Sequence, residues 1–294
     1  MLGFSHADLR PLNSSSSPSP AATPPFALTI AGYDPSSGAG ITADLLVFHA
    51  HGLFATSAIT ALTVQSTLGV AAVEPVSADL LRRTLEHLQI DLPPQGVKIG
   101  MLGSSEIVST VVEYLQKIPP AGNLNPNIPI VLDPVLRSSS GTYLLAPEAL
   151  QMLRNSLLPL VDWITPNWQE LALLSDKPVT SMPEAEAAAA ALASIYPSLN
   201  QIVTGGDQTT PTDLIRLADG TLHHLSGERI ETTATHGTGC AFSTAFLSNL
   251  ILEKTALKAA KSAKLYVTEA LRRSPQIGHG KGPLDLLWPL RQSR

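Results

Sequence analysis

Phe26-Ala27-Leu28-Thr29-Ile30-Ala31-Gly32-Tyr33-Asp34-Pro35-Ser36-Ser37-Gly38-Ala39-Gly40 changes character within fifteen residues: an apolar run, Phe26–Ala31, gives way to a glycine-rich polar loop. An amphipathic pattern, Ile41–His51, follows. A short apolar run that passes through glycines into a helical period reads as strand, loop and helix. The same alternation recurs outward from this unit. Strands are expected at Thr56–Val64, Val97–Met101, Ile128–Leu132, Val161–Thr165 and Gln201–Thr204. Helices are expected at Ala78–Gln89, Glu106–Lys117, Pro147–Leu157 and Glu184–Tyr196. Most of the strand runs are continuously apolar, as strands covered on both faces must be. Alternation at this spacing predicts right-handed βαβ units, hence an α/β, doubly wound, mostly parallel sheet with helices on both faces.

The carboxyl-terminal part reads differently. Asp213–Ala218 and Leu222–Leu225 flank Asp219-Gly220, a two-residue hairpin signal. Two long helical patterns, Thr238–Glu253 and Ala256–Arg272, come next. At the other end, Asn13–Pro25 is nearly all Ser, Pro, Ala and Thr, too poor in apolar area to offset its ordering entropy. The division is therefore a tail over residues 1–25 and a single domain over 26–294.

Composition narrows the function classes. Hydrophobic residues make up 44% of the 294, enough for a large core, while only 5% are aromatic. A net charge of −5 supplies no general positive field for nucleic acid, so an anionic ligand needs a local device. The single cysteine excludes an intramolecular disulfide and fits a cytoplasmic protein. Met1–Leu12 has no apolar core of signal-peptide length, and no run of eighteen apolar residues spans a membrane, so a soluble chain is expected.

Five sites can carry chemistry. Glycines in Gly32–Gly40 let backbone approach a ligand, although the segment also reads as a plain βα loop with an Asp turn; it lacks the Gly-Lys-Ser/Thr of a P-loop. Asp44, early in the following helix, either complements the helix dipole or faces a pocket at the strand end. Gln65 closes an apolar strand and is either a loop residue or a reader of a heteroaromatic edge. Asn167-Trp168-Gln169-Glu170 has the form of a capping box, and Glu170 could equally organise magnesium through water. The most informative segment is Thr235-His236-Gly237-Thr238-Gly239-Cys240, directly before a long helix. Small residues there expose unpaired N–H groups, and the helix dipole adds partial positive charge: an anion hole without a basic side chain. Cys240 lies in the first helical turn, where a thiol pKa falls from about 8.5 toward neutrality, unless it is simply a buried hydrophobe.

Taken together these segments resemble the hydroxymethylpyrimidine/phosphomethylpyrimidine kinases of thiamine synthesis, within the ribokinase-like superfamily. The resemblance runs over about residues 26–285. It rests on the order of Leu28-Thr29-Ile30-Ala31-Gly32, Gly38-Ala39-Gly40-Ile41, Asp44-Leu45, Ile59-Thr60-Ala61-Leu62, Lys98-Ile99-Gly100-Met101-Leu102, Asp133-Pro134-Val135, Thr165-Pro166-Asn167 and His236-Gly237-Thr238-Gly239-Cys240. It implies a ribokinase-like fold and transfer of phosphate from ATP, with Mg2+, to hydroxymethylpyrimidine and its monophosphate. Gly32, Ala39, Asp44, Gln65, Met101 and Val135 would line the pyrimidine pocket, with Asp44 accepting from the exocyclic amine. Asn167, Glu170, Thr204, Gly206 and Lys281 would serve the nucleotide, Glu170 holding the metal through water. Gly237, Thr238 and Gly239 would supply anion-hole amides and Cys240 the catalytic base. A homodimer is implied as well.

Two departures from the family pattern concern charge. Thr204-Gly205-Gly206 stands where Lys-Gly-Gly is frequent, and the flap Arg137-Ser138-Ser139-Ser140-Gly141 lacks its usual lysine. A cation beside transferring phosphoryl oxygens is worth several kcal/mol, and Arg137 and Lys281 are the available replacements. Two other readings share the scaffold: a pyridoxal or pyridoxine kinase, and a pyrimidine-binding protein without turnover.

Overall fold

The computed structural model describes residues 23–118, 128–137, 141, 143–206 and 208–291. The expected tail lies outside the described residues except for 23–25, and so do Ser138–Ser140 of the flap. The opening unit forms as read: β1 (Phe26–Tyr33) enters α1 (Gly40–Ala50) through the glycine loop. β2 (Phe54–Ser66) is followed by a strand that the sequence reading missed, β3 (Gly69–Pro75). None of its small residues is buried, so no apolar run announces it.

α2 (Ala78–Asp91), β4 (Val97–Ile99), α3 (Ser105–Lys117) and β5 (Ile130–Leu132) fall where expected. α4 (Pro147–Met152) stops short of the predicted Leu157 and continues as a π turn, Leu153–Leu157, and a 3-10 turn, Leu158–Leu160. Pro159 explains the change: it has no N–H to donate, and its ring crowds the preceding turn. β6 (Trp163–Ile164), α5 (Trp168–Ser175), α6 (Met182–Ile195) and β7 (Asn200–Val203) complete the alternating part. The predicted hairpin is β8 (Thr212–Arg216) with β9 (Leu222–Ser226), and α7 (Thr238–Ile251), α8 (Ala256–Arg272) and α9 (Trp288–Arg291) close the chain.

All nine described strands form one sheet in the order β3-β2-β1-β4-β5-β6-β7-β8-β9. Pairing is parallel from β2 through β7, and antiparallel where β3, β8 and β9 extend the two ends. Successive side chains along each strand point to opposite faces, which sorts the core into two layers. Leu28, Ile30, Val97, Ile99, Leu132 and Ile164 pack under α2 to α6, whereas Ala27, Val131 and Trp163 pack under α1, α7 and α8. β1 has β2 on one side and β4 on the other. The chain therefore reverses direction across the sheet at β1, and open α/β sheets bind ligands outside the carboxyl ends of strands at such a point.

Candidate active site

A cleft of about 1140 Å³ opens at that position, room for two small ligands side by side. The strand order lays out its contents. Gly32 leaves β1, Gln65 lies on β2 and Met101 follows β4 at one end; Asp133 and Val135 follow β5 in the middle; Thr165 and Thr204 follow β6 and β7 at the other end. Every residue proposed from sequence for substrate, nucleotide, flap or catalysis lines this cleft except Asp44.

Glycines bring the two ligand loops into contact. Gly237, the residue capping α7, has φ of 84°, and a Cβ there would lie 1.8 Å from the Gly38 carbonyl oxygen. Only glycine satisfies both demands. Gly32 is required for a different reason: a Cβ would lie 2.4 Å from the Met101 methyl group that covers it. The first loop is folded by Asp34, which accepts from Ser36 N at 2.8 Å, Ser36 Oγ at 2.7 Å and Ala39 N at 2.9 Å. No side chain caps the start of α7. Its first amides, at Thr238, Gly239 and Cys240, have no intrahelical acceptor, and these residues line the cleft.

Beneath this helix start lies a buried ionic cluster. Lys98 Nζ donates to both Asp44 oxygens, at 3.0 and 2.9 Å, and neither side chain is exposed. Asp44 also accepts from Thr29 Oγ1 at 2.6 Å and Thr244 Oγ1 at 2.7 Å. The expectation that Asp44 takes the exocyclic amine of a ligand is corrected: its acceptors are used by β1, β4 and α7, and it does not reach the cleft. Burial would lower the Lys98 pKa, but the Asp44 charge raises it well above the ordinary lysine range, so the ammonium stays charged. Lys98 went unassigned in the sequence reading. Its signal was a lysine inside a strand covered on both faces, which must find a counter-charge.

Cys240 is also corrected. Its thiol borders the cleft, yet burial, with Asp133 and Asp44 nearby, pushes it up to about 12 despite the opposing effects of Lys98 and the Gly40 N–H. The helix start alone would lower it; desolvation wins. Asp133 is likewise raised, first by burial and then by Asp44, against Lys98 and hydrogen bonds from Ser243 and Cys240. Ser243 Oγ donates to Asp133 Oδ2 at 3.2 Å.

The capping box at α5 forms as read: Glu170 N donates to Asn167 Oδ1 at 2.9 Å, and Asn167 N to Glu170 Oε2 at 3.0 Å. The same carboxyl faces the cleft, and burial together with Asp133 raises it to about 8. Two repelling carboxyls at a cleft wall form a place that a cation would relieve; among the described residues no group of three His, Cys, Asp or Glu side chains offers a fuller cage.

At the β6–β7 end, Gly205 N donates to Asp213 Oδ1 at 3.1 Å, and Asp213 Oδ2 accepts from Lys264 Nζ at 2.7 Å. Lys264, on α8, is a cleft cation that the sequence did not reveal, because only tertiary structure brings it beside the Gly205-Gly206 turn. Lys281, grouped with Thr204 and Gly206 in the sequence reading, lines the cleft from the other end: its amide donates at 2.9 Å to Thr67 O, in the turn between β2 and β3. Arg137 is exposed, with its guanidinium 4.2 Å over the Tyr143 ring.

This fold and cleft define a small-molecule kinase of the ribokinase-like type. The Phosphomethylpyrimidine kinase family matches residues 34–285, and the chain belongs to it. A hydroxymethylpyrimidine/phosphomethylpyrimidine kinase of Synechococcus elongatus is 39% identical over 269 residues, 90% of this chain and 98% of that protein. The crystal structure of a Clostridium difficile phosphomethylpyrimidine kinase superposes with a TM-score of 0.72 at 34% identity, covering 84% of this chain and 99% of that one. A Staphylococcus aureus pyridoxal kinase in complex with AMP-PCP and pyridoxal gives a TM-score of 0.78 at 29% identity, covering 90% and 94%.

Proposed function

We propose that this kinase transfers the γ-phosphoryl group of ATP to the primary hydroxyl of hydroxymethylpyrimidine, and then to its monophosphate, in cytoplasmic thiamine biosynthesis. The observation that carries the reading is the uncapped start of α7, which opens on the cleft between the β1–β4 end and the β6–β7 end. Gly32, Ala39, Gln65, Met101 and Val135 form the pyrimidine end, Asn167, Thr204 and Gly206 the nucleotide end, and Lys281 serves the phosphates from beside the β2–β3 turn. Phosphoryl transfer needs positioning and charge stabilisation more than covalent chemistry, and the Gly237–Cys240 amides supply charge stabilisation where the groups meet. Mg2+, held by Glu170 through water with Asp133 beside it, would neutralise phosphate charge.

Cys240 remains the residue nearest the hydroxyl proton in this reading, but a resting thiol must give up its own hydrogen to accept another. Asp133, hydrogen-bonded to the thiol, is the natural sink. The hydroxyl proton passes to Sγ as the Sγ hydrogen passes to the Asp133 carboxylate, late in the transfer. Arg137 takes the part of the missing flap lysine. A homodimer fits the exposed apolar side chains of β2, Leu62 and Val64 among them. The test is ATP turnover by the full chain with hydroxymethylpyrimidine, its monophosphate, pyridoxal and pyridoxine. Preference for the two pyrimidines is expected; preference for the pyridines, or no turnover at all, contradicts the proposal.

A further inference from the structure

At the pyrimidine end, a histidine sits between two groups that cannot both be what they first look like. His236 Nε2 lies 2.7 Å from Asp34 Oδ2 and 3.0 Å from Gln65 Nε2. Thr63 Oγ1 lies 3.0 Å from the Tyr33 carbonyl oxygen and 3.1 Å from Gln65 Oε1. Asp34 already accepts three hydrogen bonds from Ser36 and Ala39. Burial raises its pKa, but the bonds from His236 and Ser36 outweigh burial and hold the carboxyl below the usual range. A carboxylate has no hydrogen to give, so the 2.7 Å contact requires the proton on His236 Nε2. That nitrogen then has no lone pair for an amide N–H. The Gln65 atom facing it must be the carbonyl oxygen, taking the longer arm of a three-centre bond whose shorter arm goes to Asp34, since carboxamide oxygen and nitrogen are assigned from their partners.

Turning the amide removes a second conflict. Thr63 has one hydroxyl hydrogen, and two acceptors competed for it. With that hydrogen on the Tyr33 carbonyl, a hydroxyl lone pair is left to receive one Gln65 N–H. The imidazole itself has little freedom, because a Cβ at Gly38 would lie 2.2 Å from its Cδ2: the ring lies against bare backbone. Gln65 therefore has its oxygen turned to the N–H that His236 shares with Asp34, and one N–H on Thr63. Its other N–H is left for the cleft that Gln65 lines.

We propose that Asp34 and His236 are positioning residues that lock the Gln65 amide as a donor, so that the site selects a heteroaromatic ligand presenting a bare ring nitrogen at that edge. The selectivity part rests on the pyrimidine reading above; the lock does not. A ring nitrogen accepts the free N–H, whereas a ring C–H or an exocyclic amine leaves it unpaired.

Two measurements test this. In the ligand-free full chain, nitrogen-15 NMR of the imidazoles, with His236→Gln to assign the signal, should show His236 protonated on Nε2; a bare Nε2 overturns the lock. Binding is then compared for hydroxymethylpyrimidine and two analogues, each with one ring nitrogen replaced by C–H. The wild type should bind one analogue at least about tenfold more weakly, as expected for a lost buried hydrogen bond. In His236→Leu that preference should shrink below about threefold with the ATP dissociation constant unchanged, and His236→Gln, which keeps a side-chain N–H, should restore it. Undiminished preference in His236→Leu, or parallel loss of ATP binding, overturns the proposal. A wild type that binds no pyrimidine overturns the substrate reading, and the tautomer then decides the lock alone.

Discussion

The two ends of the cleft are built from different materials. The end proposed for the pyrimidine is tied into the sheet: Gly32 and Met101 are buried, the Asp34–His236–Gln65 chain links two loops, and the Asp44–Lys98 pair lies below. The end proposed for the nucleotide is mostly exposed or half-exposed, with Asn167 and Gly206 open to solvent, and it offers backbone amides and long side chains. The difference suits the ligand proposed for each end. A small heteroaromatic ring is told from its relatives by a few fixed donors and acceptors, which must be preorganised. Phosphates are common to many ligands and are held by N–H groups and cations that need less precision.

Asp44→Ala should break this arrangement most severely. Removing one partner of a buried pair leaves an uncompensated charge and costs about 3–5 kcal/mol. The melting temperature should fall by roughly ten degrees, with loss of activity following loss of fold. Were the variant to melt like the wild type and lose only pyrimidine affinity, Asp44 would face the ligand and the buried floor would be unnecessary.

Arg137→Ala sharpens the comparison from the exposed side. Arg137 packs on Tyr143 at the surface, so folding should be unaffected while kcat falls by more than about tenfold. Unchanged kinetics would leave Lys264, Lys281 and the α7 amides as the charge compensation.

The smallest effect is a pH dependence of stability set by Glu170. Its carboxyl keeps a proton up to about 8 in the folded state, against an ordinary value of 4.5. The native chain thus binds the extra proton between those limits, and this contribution is full below 4.5 and lost as pH rises through about 8. Melting temperature in magnesium-free buffer should drop by a few degrees across that window, and Glu170→Gln should flatten the drop. Equal slopes would show that Glu170 is ionised throughout.

What was legible in the sequence was local. The start of α7, the capping box and the β8–β9 turn are each written within a few neighbouring residues; the first two formed as read, and the hairpin formed but closes over residues 218–220 rather than the expected two. Asp44 was misread because its partners come from 15, 54 and 200 residues away. Cys240 was misread in its acidity because a helix terminus is visible in sequence and desolvation is not. β3 lacks an apolar period, since one of its edges and much of its surface face solvent. Lys98 was the available clue: a charge in the middle of Val97-Lys98-Ile99 demands a buried acid, and Asp44 was the one at hand.

The most direct test is the turnover number of Cys240→Ala with hydroxymethylpyrimidine at saturating ATP and magnesium, measured beside both ligand dissociation constants. If α7 delivers the proton-handling group to the point where the two ends meet, kcat falls at least about a hundredfold. Affinities and melting temperature should hold, because the amides, the Asp34–His236–Gln65 chain and the Asp44–Lys98 pair are untouched. A variant that turns over at the wild-type rate, or that loses its fold, would contradict the account.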